Sequence, residues 1–162
     1  MADLGAIAPK DTIVLSIGMQ KGGVAKTTNA CHLAVALGES GKRVLLWDLD
    51  ENHGATKLFQ IPPDAFVSTM HVLSGDSSAE EAILSHDDPE LDIELPPGVD
   101  FIPASRNLQG LDSALREHDP FYNPNDVLQT PIDELKALNR YDYILLDTAP
   151  SASTTTRGAY LV

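Results

Sequence analysis

Cysteine is nearly absent from this 162-residue chain: Cys31 stands alone, which excludes an internal disulfide and any cysteine-built metal cluster within one chain. Basic residues are also scarce, 11 Lys and Arg against 24 Asp and Glu, for a formal charge of −13. Between Asp76 and Asp100 there are nine acids and no Lys or Arg. Nucleic-acid binding rests on a basic patch that displaces counterions, and none is evident, so the acidic run reads as a solvated surface. No apolar run approaches the length of a membrane span. The first residues show no basic-then-apolar leader, so 1–11 read as a short flexible tail of a cytoplasmic protein and 12–162 as one domain. A hydrophobic fraction of 43% is ordinary for such a domain and sufficient for one core.

What is present is a glycine–lysine loop, "SIGMQKGGVAKTTNA", from Ser16 to Ala30. It misses the usual G-x-x-x-x-G-K-[ST] phosphate loop twice, with Gln20 and Ala25 where that pattern has glycine, and it carries an extra lysine, Lys21. The chemistry is nevertheless suited to a triphosphate. Gly22 and Gly23 let the backbone wrap closely and aim N–H groups inward. A helix opening near Lys26 adds the positive end of its dipole. Lys26 can reach the β- and γ-phosphates, and the Thr27 hydroxyl can ligate Mg²⁺.

The surroundings of the loop imply a fold. "TIVLSIGM" (12–19) reads as a strand buried on both faces, and 27–40 as an amphipathic helix with Ala30, Leu33, Ala34 and Leu37 on its apolar face, stopped at Gly41. "RVLLWDLD" (43–50), "GVDFIPAS" (98–105) and "YDYILLDTAP" (141–150) read as further strands. Helices are expected from Ser78 to about His86, across Leu108, Leu111 and Leu115, and from Thr130 to about Asn139, where Thr130, Pro131 and Asp133 suit the cap and first turn. This alternation predicts an α/β, doubly wound, mostly parallel sheet with helices on both faces. Right-handed crossovers put all strand C-termini on one edge, so the loop, Asp48, Asp50 and Asp147 converge on one crevice. Carboxylates there can position Mg²⁺ or orient an attacking water.

With these residues assembled, the chain resembles the ParA family of partition ATPases, of the deviant Walker-A P-loop class that also holds MinD and the nitrogenase iron protein. The family loop is K-G-G-x-x-K-[TS], here Lys21 to Thr27, and "GKRVLLWDLDENHGAT", "FIPASRNLQG" and "YDYILLDTAPS" follow in family order. The resemblance implies ATP/ADP and Mg²⁺ as ligands. Lys21, Gly22, Gly23, Val24, Ala25, Lys26, Thr27 and Thr28 would bind nucleotide, with Lys21 reaching across an ATP-sandwich homodimer to the partner's nucleotide. Lys26 and Asp50 join Lys21 in hydrolysis, and Thr27, Asp48 and Asp147 surround the metal. Slow, partner-stimulated ATP hydrolysis, a ParB-like adaptor, nucleoid association and no membrane contact follow from the same resemblance. It also implies that the C-terminal strands, the adenine pocket and the basic residues for nonspecific DNA lie beyond the helix after Asp147. Two departures stand out: Glu51-Asn52-His53 follows Asp50 where the family usually has Pro-Gln, and His32 replaces a frequent Asn. A non-catalytic ATP-binding or dimerisation module and a MinD-like positioning ATPase are the alternative readings.

Overall fold

A computed structural model describes residues 11–19, 21, 23–62 and 64–162. Most of the expected N-terminal tail, and Gln20 and Gly22 of the loop, lie outside the described residues. Four strands, β1 (Ile13–Ile17), β2 (Val44–Leu49), β3 (Val99–Ile102) and β4 (Tyr143–Thr148), form one parallel sheet in the order β1-β4-β2-β3. The α-helices among the described residues are α1 (Lys26–Glu39), α2 (Gly54–Leu58), α3 (Thr69–Ser74), α4 (Leu111–His118), α5 (Gln129–Ala137) and α6 (Thr154–Ala159).

Alternation along the strands separates two cores. Leu45, Trp47 and Leu49 of β2 join Ile144 and Leu146 of β4 against α3, α4 and α5. Val44 and Leu46, with Leu145, Val99 and Phe101, face the opposite way, onto α1. The sheet is therefore covered on both sides, as the alternation of elements requires. Trp47 is fully buried and its indole N–H donates to Thr69 Oγ1 at 2.9 Å, which meets the polar demand of a buried indole.

Helix α1 shows how small residues set the spacing. Ala30, Cys31, Ala34 and Gly38 are its buried residues, and a Cβ on Gly38 would strike the Pro97 carbonyl. The apolar face is thus rotated from the one expected: Leu33 is 39% exposed. The stop at Gly41 is as expected. Gly41 has φ 83°, its N–H reaches the Gly38 carbonyl at 2.9 Å, and the Lys42 N–H reaches the Leu37 carbonyl at 3.1 Å, a Schellman closure.

Other expectations need correction. β1 is not buried on both faces: it is an edge strand, with Ile13 47% and Leu15 38% exposed. Its apolar run describes the side chains but not what lies beyond the edge. The helix expected over 78–86 is one 3-10 turn, Glu80–Ala82, because Leu84 leaves it to bridge antiparallel to Phe101. Helix α5 opens at Gln129, after Leu128, and Asp133 accepts from the Gln129 side chain rather than closing a capping box on Thr130. Helices α2 and α3 were not anticipated. The second starts where Ser68 and His71 cap one another, a box in which histidine stands for the usual Glu or Gln.

Candidate functional site

The C-terminal ends of β1, β2 and β4 meet at one edge of the sheet. Register pairs Asp147 with Ile17 on one side and with Asp48 on the other, so the Gly-rich loop and both aspartates meet there. Thr148 Oγ1 donates to the Ile17 carbonyl at 3.1 Å, tying the base of the loop to β4.

From Ile17 the chain runs through Gly18 to Ala25 before turning into α1. Gly23 has φ 71° with open space around it, and Ala25 has φ 59°, a left-handed conformation that costs a β-carbon residue roughly 1–2 kcal/mol. The Ala25 carbonyl accepts the Asn29 N–H at 2.9 Å, which starts the helix. Ala25 has no side-chain acceptor to cap that end, which leaves first-turn N–H groups available to another acceptor. Lys26 and Thr27 are half-buried, whereas Lys21, Gly23, Ala25 and Thr28 are exposed and Val24 is half-buried. The exposure of Lys21 leaves its ammonium free to meet something outside its own crevice.

Asp147 is the anomaly of the site. It is fully buried, and among the described residues neither carboxylate oxygen has a hydrogen-bond partner. Burial pushes its carboxyl up to about 7, the negative charges of Asp48 and Asp50 add to this, and the Thr27 hydroxyl and Lys26 ammonium oppose it. The same surroundings push the buried Cys31 thiol up to about 12, through burial first and then Asp147 and Asp48, so it is an inert packing residue.

Asp48 is equally buried but fully engaged. Its Oδ2 accepts the Thr56 N–H at 2.9 Å and the Thr56 hydroxyl at 2.7 Å, while Oδ1 accepts the Asp50 N–H at 3.1 Å. Burial still lifts it to about 6 against those bonds. Both oxygens of Asp48, expected near a metal, thus accept hydrogen bonds from the protein. Thr56 Oγ1 also accepts the Ala104 N–H at 3.0 Å, so it joins β2, α2 and the segment leaving β3. Asp50, 6% exposed, accepts from Asn52 and keeps its neighbour Glu51 half-buried.

Among the described residues no three His, Cys, Asp or Glu side chains form a metal cage. That suits Mg²⁺, which is commonly held by one or two protein oxygens together with phosphates and water. The Asp147 carboxylate, without a partner among the described residues, and the Thr27 hydroxyl are oxygens of that kind, while the adjacent helix N-terminus suits the phosphates. Sequence reasoning missed three contributors here. Gly54 abuts Thr27, and a Cβ there would lie 3.1 Å from Thr27 Cγ2. Thr56 holds Asp48, and Thr155 Oγ1 donates to the Leu49 carbonyl at 3.0 Å. The only advance signal was their place in the "HGAT" and "APSASTT" segments that follow the aspartates.

Residues 12–162 match the family model described as AAA domain, AAA_31. The chromosome partitioning protein ParA of Caulobacter vibrioides is 34% identical over 147 residues, which cover 90% of this chain and 51% of that protein. Among solved structures, cobyrinic acid a,c-diamide synthase from Mycobacterium smegmatis, with bound ATP analogue and magnesium, superposes with a TM-score of 0.77 at 32% identity, covering 91% of this chain and 54% of that one. A putative plasmid partition protein from Borrelia burgdorferi B31, bound to AMPPNP, superposes with a TM-score of 0.73 at 26% identity, covering 93% and 57%. This chain thus spans about half the length of the relatives it matches. Among the described residues no helix is long and apolar enough to cross a membrane.

Proposed function

Because this chain belongs to the AAA domain family AAA_31 and to the ParA proteins within it, we propose that it binds ATP and ADP with Mg²⁺ at the β1–α1 loop and hydrolyses ATP slowly. The observation that carries this reading is Asp147, a buried carboxylate with no hydrogen-bond partner among the described residues, set beside Thr27 and the N-terminus of α1. An acid in that state is relieved by a cation, and a helix end by an anion; Mg²⁺ with a phosphate chain supplies both.

Each residue then has a task. The backbone N–H groups of Gly22 to Thr28 and the Lys26 ammonium bind and orient the phosphates. Thr27 and Asp147 hold the metal, directly or through its water, and Asp48 braces the strand end beside them. Bound Mg²⁺ supplies charge that offsets the phosphate oxygens during transfer. Asp50, at the rim of the crevice, orients the attacking water and takes up its proton. Lys21 is exposed, as suits a cation that enters the nucleotide site of a second copy. Such a lysine couples nucleotide state to a sandwich homodimer, which a ParB-like adaptor would read to segregate or position DNA or other cargo. In this reading the protein works in the cytoplasm, at the nucleoid, and contacts DNA outside the acidic surface described here.

The test is nucleotide binding by calorimetry with and without Mg²⁺. Wild type should bind ATP more tightly with Mg²⁺. Lys26→Ala should weaken binding on the order of 100-fold, the scale of losing a charge-assisted phosphate contact in a helix-end site. ATP affinity that ignores both Mg²⁺ and Lys26 would sink the proposal. Turnover abolished by Asp50→Ala separates the ATPase from a non-catalytic module.

A further inference from the structure

The stretch after Asp50 departs from the family pattern, and the contacts made by Asn52 give that departure a role. The Asn52 backbone N–H donates to Asp50 Oδ1 at 2.8 Å, and its side-chain Nδ2 donates to the same oxygen at 2.9 Å. Among the described residues both of these bonds fall on Oδ1 of Asp50, and the residue is 6% exposed. We infer that Asn52 is a positioning residue that clamps one oxygen of Asp50 and leaves the other to the crevice, an assignment that rests on the ATPase reading above.

The clamp sits in a turn that is itself held. The His53 N–H donates to the Asp50 carbonyl at 2.8 Å, and Lys57 Nζ donates to the Asn52 carbonyl at 3.1 Å. His53 takes a left-handed φ of 45°, which returns the chain so that Gly54 lies against Thr27. Asp50 and the hydroxyl of the phosphate loop are therefore set by one short segment. A carboxylate on two rotatable bonds samples several orientations, and two donors on one oxygen select one of them. Misplacing a reacting group by about 1 Å can cost about 100-fold in rate, so this selection bears directly on catalysis.

Any residue but proline at 52 could supply the backbone bond; only a side-chain donor supplies the second. Asn52 is exposed, so its replacement leaves the cores intact. In steady-state ATPase assays, Asn52→Ala should lower kcat by about tenfold and leave KM for ATP within about twofold, because it disturbs orientation rather than nucleotide binding. Asn52→Gln, which keeps an amide donor, should recover most of that loss. In proton–nitrogen correlation spectra of the full chain, the Asn52 side-chain amide pair should shift on Asp50→Ala. Unchanged kcat in Asn52→Ala, an equal loss in Asn52→Gln, or an Asn52 amide indifferent to Asp50→Ala would each overturn the assignment. If wild type shows no Asp50-dependent turnover, the ATPase reading fails by itself, and the amide spectrum still decides whether the clamp exists.

Discussion

Two buried aspartates at opposite ends of the sheet have nearly equal burial and opposite chemistry. Asp100 lies at the N-terminal end of β3, with a side chain 1% exposed. It accepts from the Tyr141 hydroxyl at 2.8 Å, the Arg140 guanidinium at 2.6 Å and the His86 backbone N–H at 3.0 Å, with His86 Nδ1 at 2.8 Å. Arg43 closes the group at 3.8 Å. Burial pushes the Asp100 carboxyl up, but the bonds from His86 and Tyr141 and the charge of Arg140 together carry it below its ordinary value. Asp147, at the C-terminal end of β4, has none of these partners and is pushed the other way. Burial of an acid therefore does not mark a site; burial without partners does.

The contrast can be broken first at Asp100. Asp100→Ala leaves Arg140, Tyr141 and His86 around an empty position and should cost about 3 kcal/mol, the scale of breaking a buried pair, read from urea unfolding. Asp147→Asn should act in the opposite sense on the unliganded protein. A carboxyl whose folded pKa is about 7, against roughly 4 in the unfolded chain, binds a proton more tightly when folded. Its penalty is absent below about pH 4, grows as pH rises and is complete above about pH 7. Asp147→Asn should thus match wild type at low pH and exceed it by up to about 4 kcal/mol above neutrality, while losing the Mg²⁺ dependence of ATP binding. Stability equal to wild type at both pH limits would break the comparison.

Smaller effects sharpen it. Thr69 Oγ1 serves the Trp47 indole, the Asp48 carbonyl and the Pro103 carbonyl, so Thr69→Val should cost about 1–3 kcal/mol in thermal or urea unfolding by stranding a buried donor. Arg43→Ala removes the exposed pair with Asp87 and only a distant approach to Asp100. It should change stability by under about 1 kcal/mol, and a larger loss would assign Arg43 a greater share of the Asp100 group.

The elements that were legible are those whose own residues suffice. The loop, the apolar strands 44–49 and 143–148 and the Gly41 stop are each specified within a few residues. Illegible were the short helices α2 and α3, because five or six residues carry no clear period and depend on contacts such as Asp48 with Thr56 and Ser68 with His71. Among the site residues, the aspartates were found by their position at strand ends, and Asp147 stood out through the apolar run "ILLDTAP", but nothing local shows that Thr56 engages Asp48.

The sequence alone determined the order of the four strands, the cation-and-glycine loop, and the three acids that follow strand ends, because hydrophobic period and backbone freedom are local properties. Tertiary structure decided the rest. Parallel register sets Asp147 between Ile17 and Asp48, Thr56 from a later helix occupies one of the two acids, and among the described residues no hydrogen-bond partner reaches the other. Which buried carboxylate is left needing a cation depends on groups brought together from distant segments, and only the folded chain brings them together.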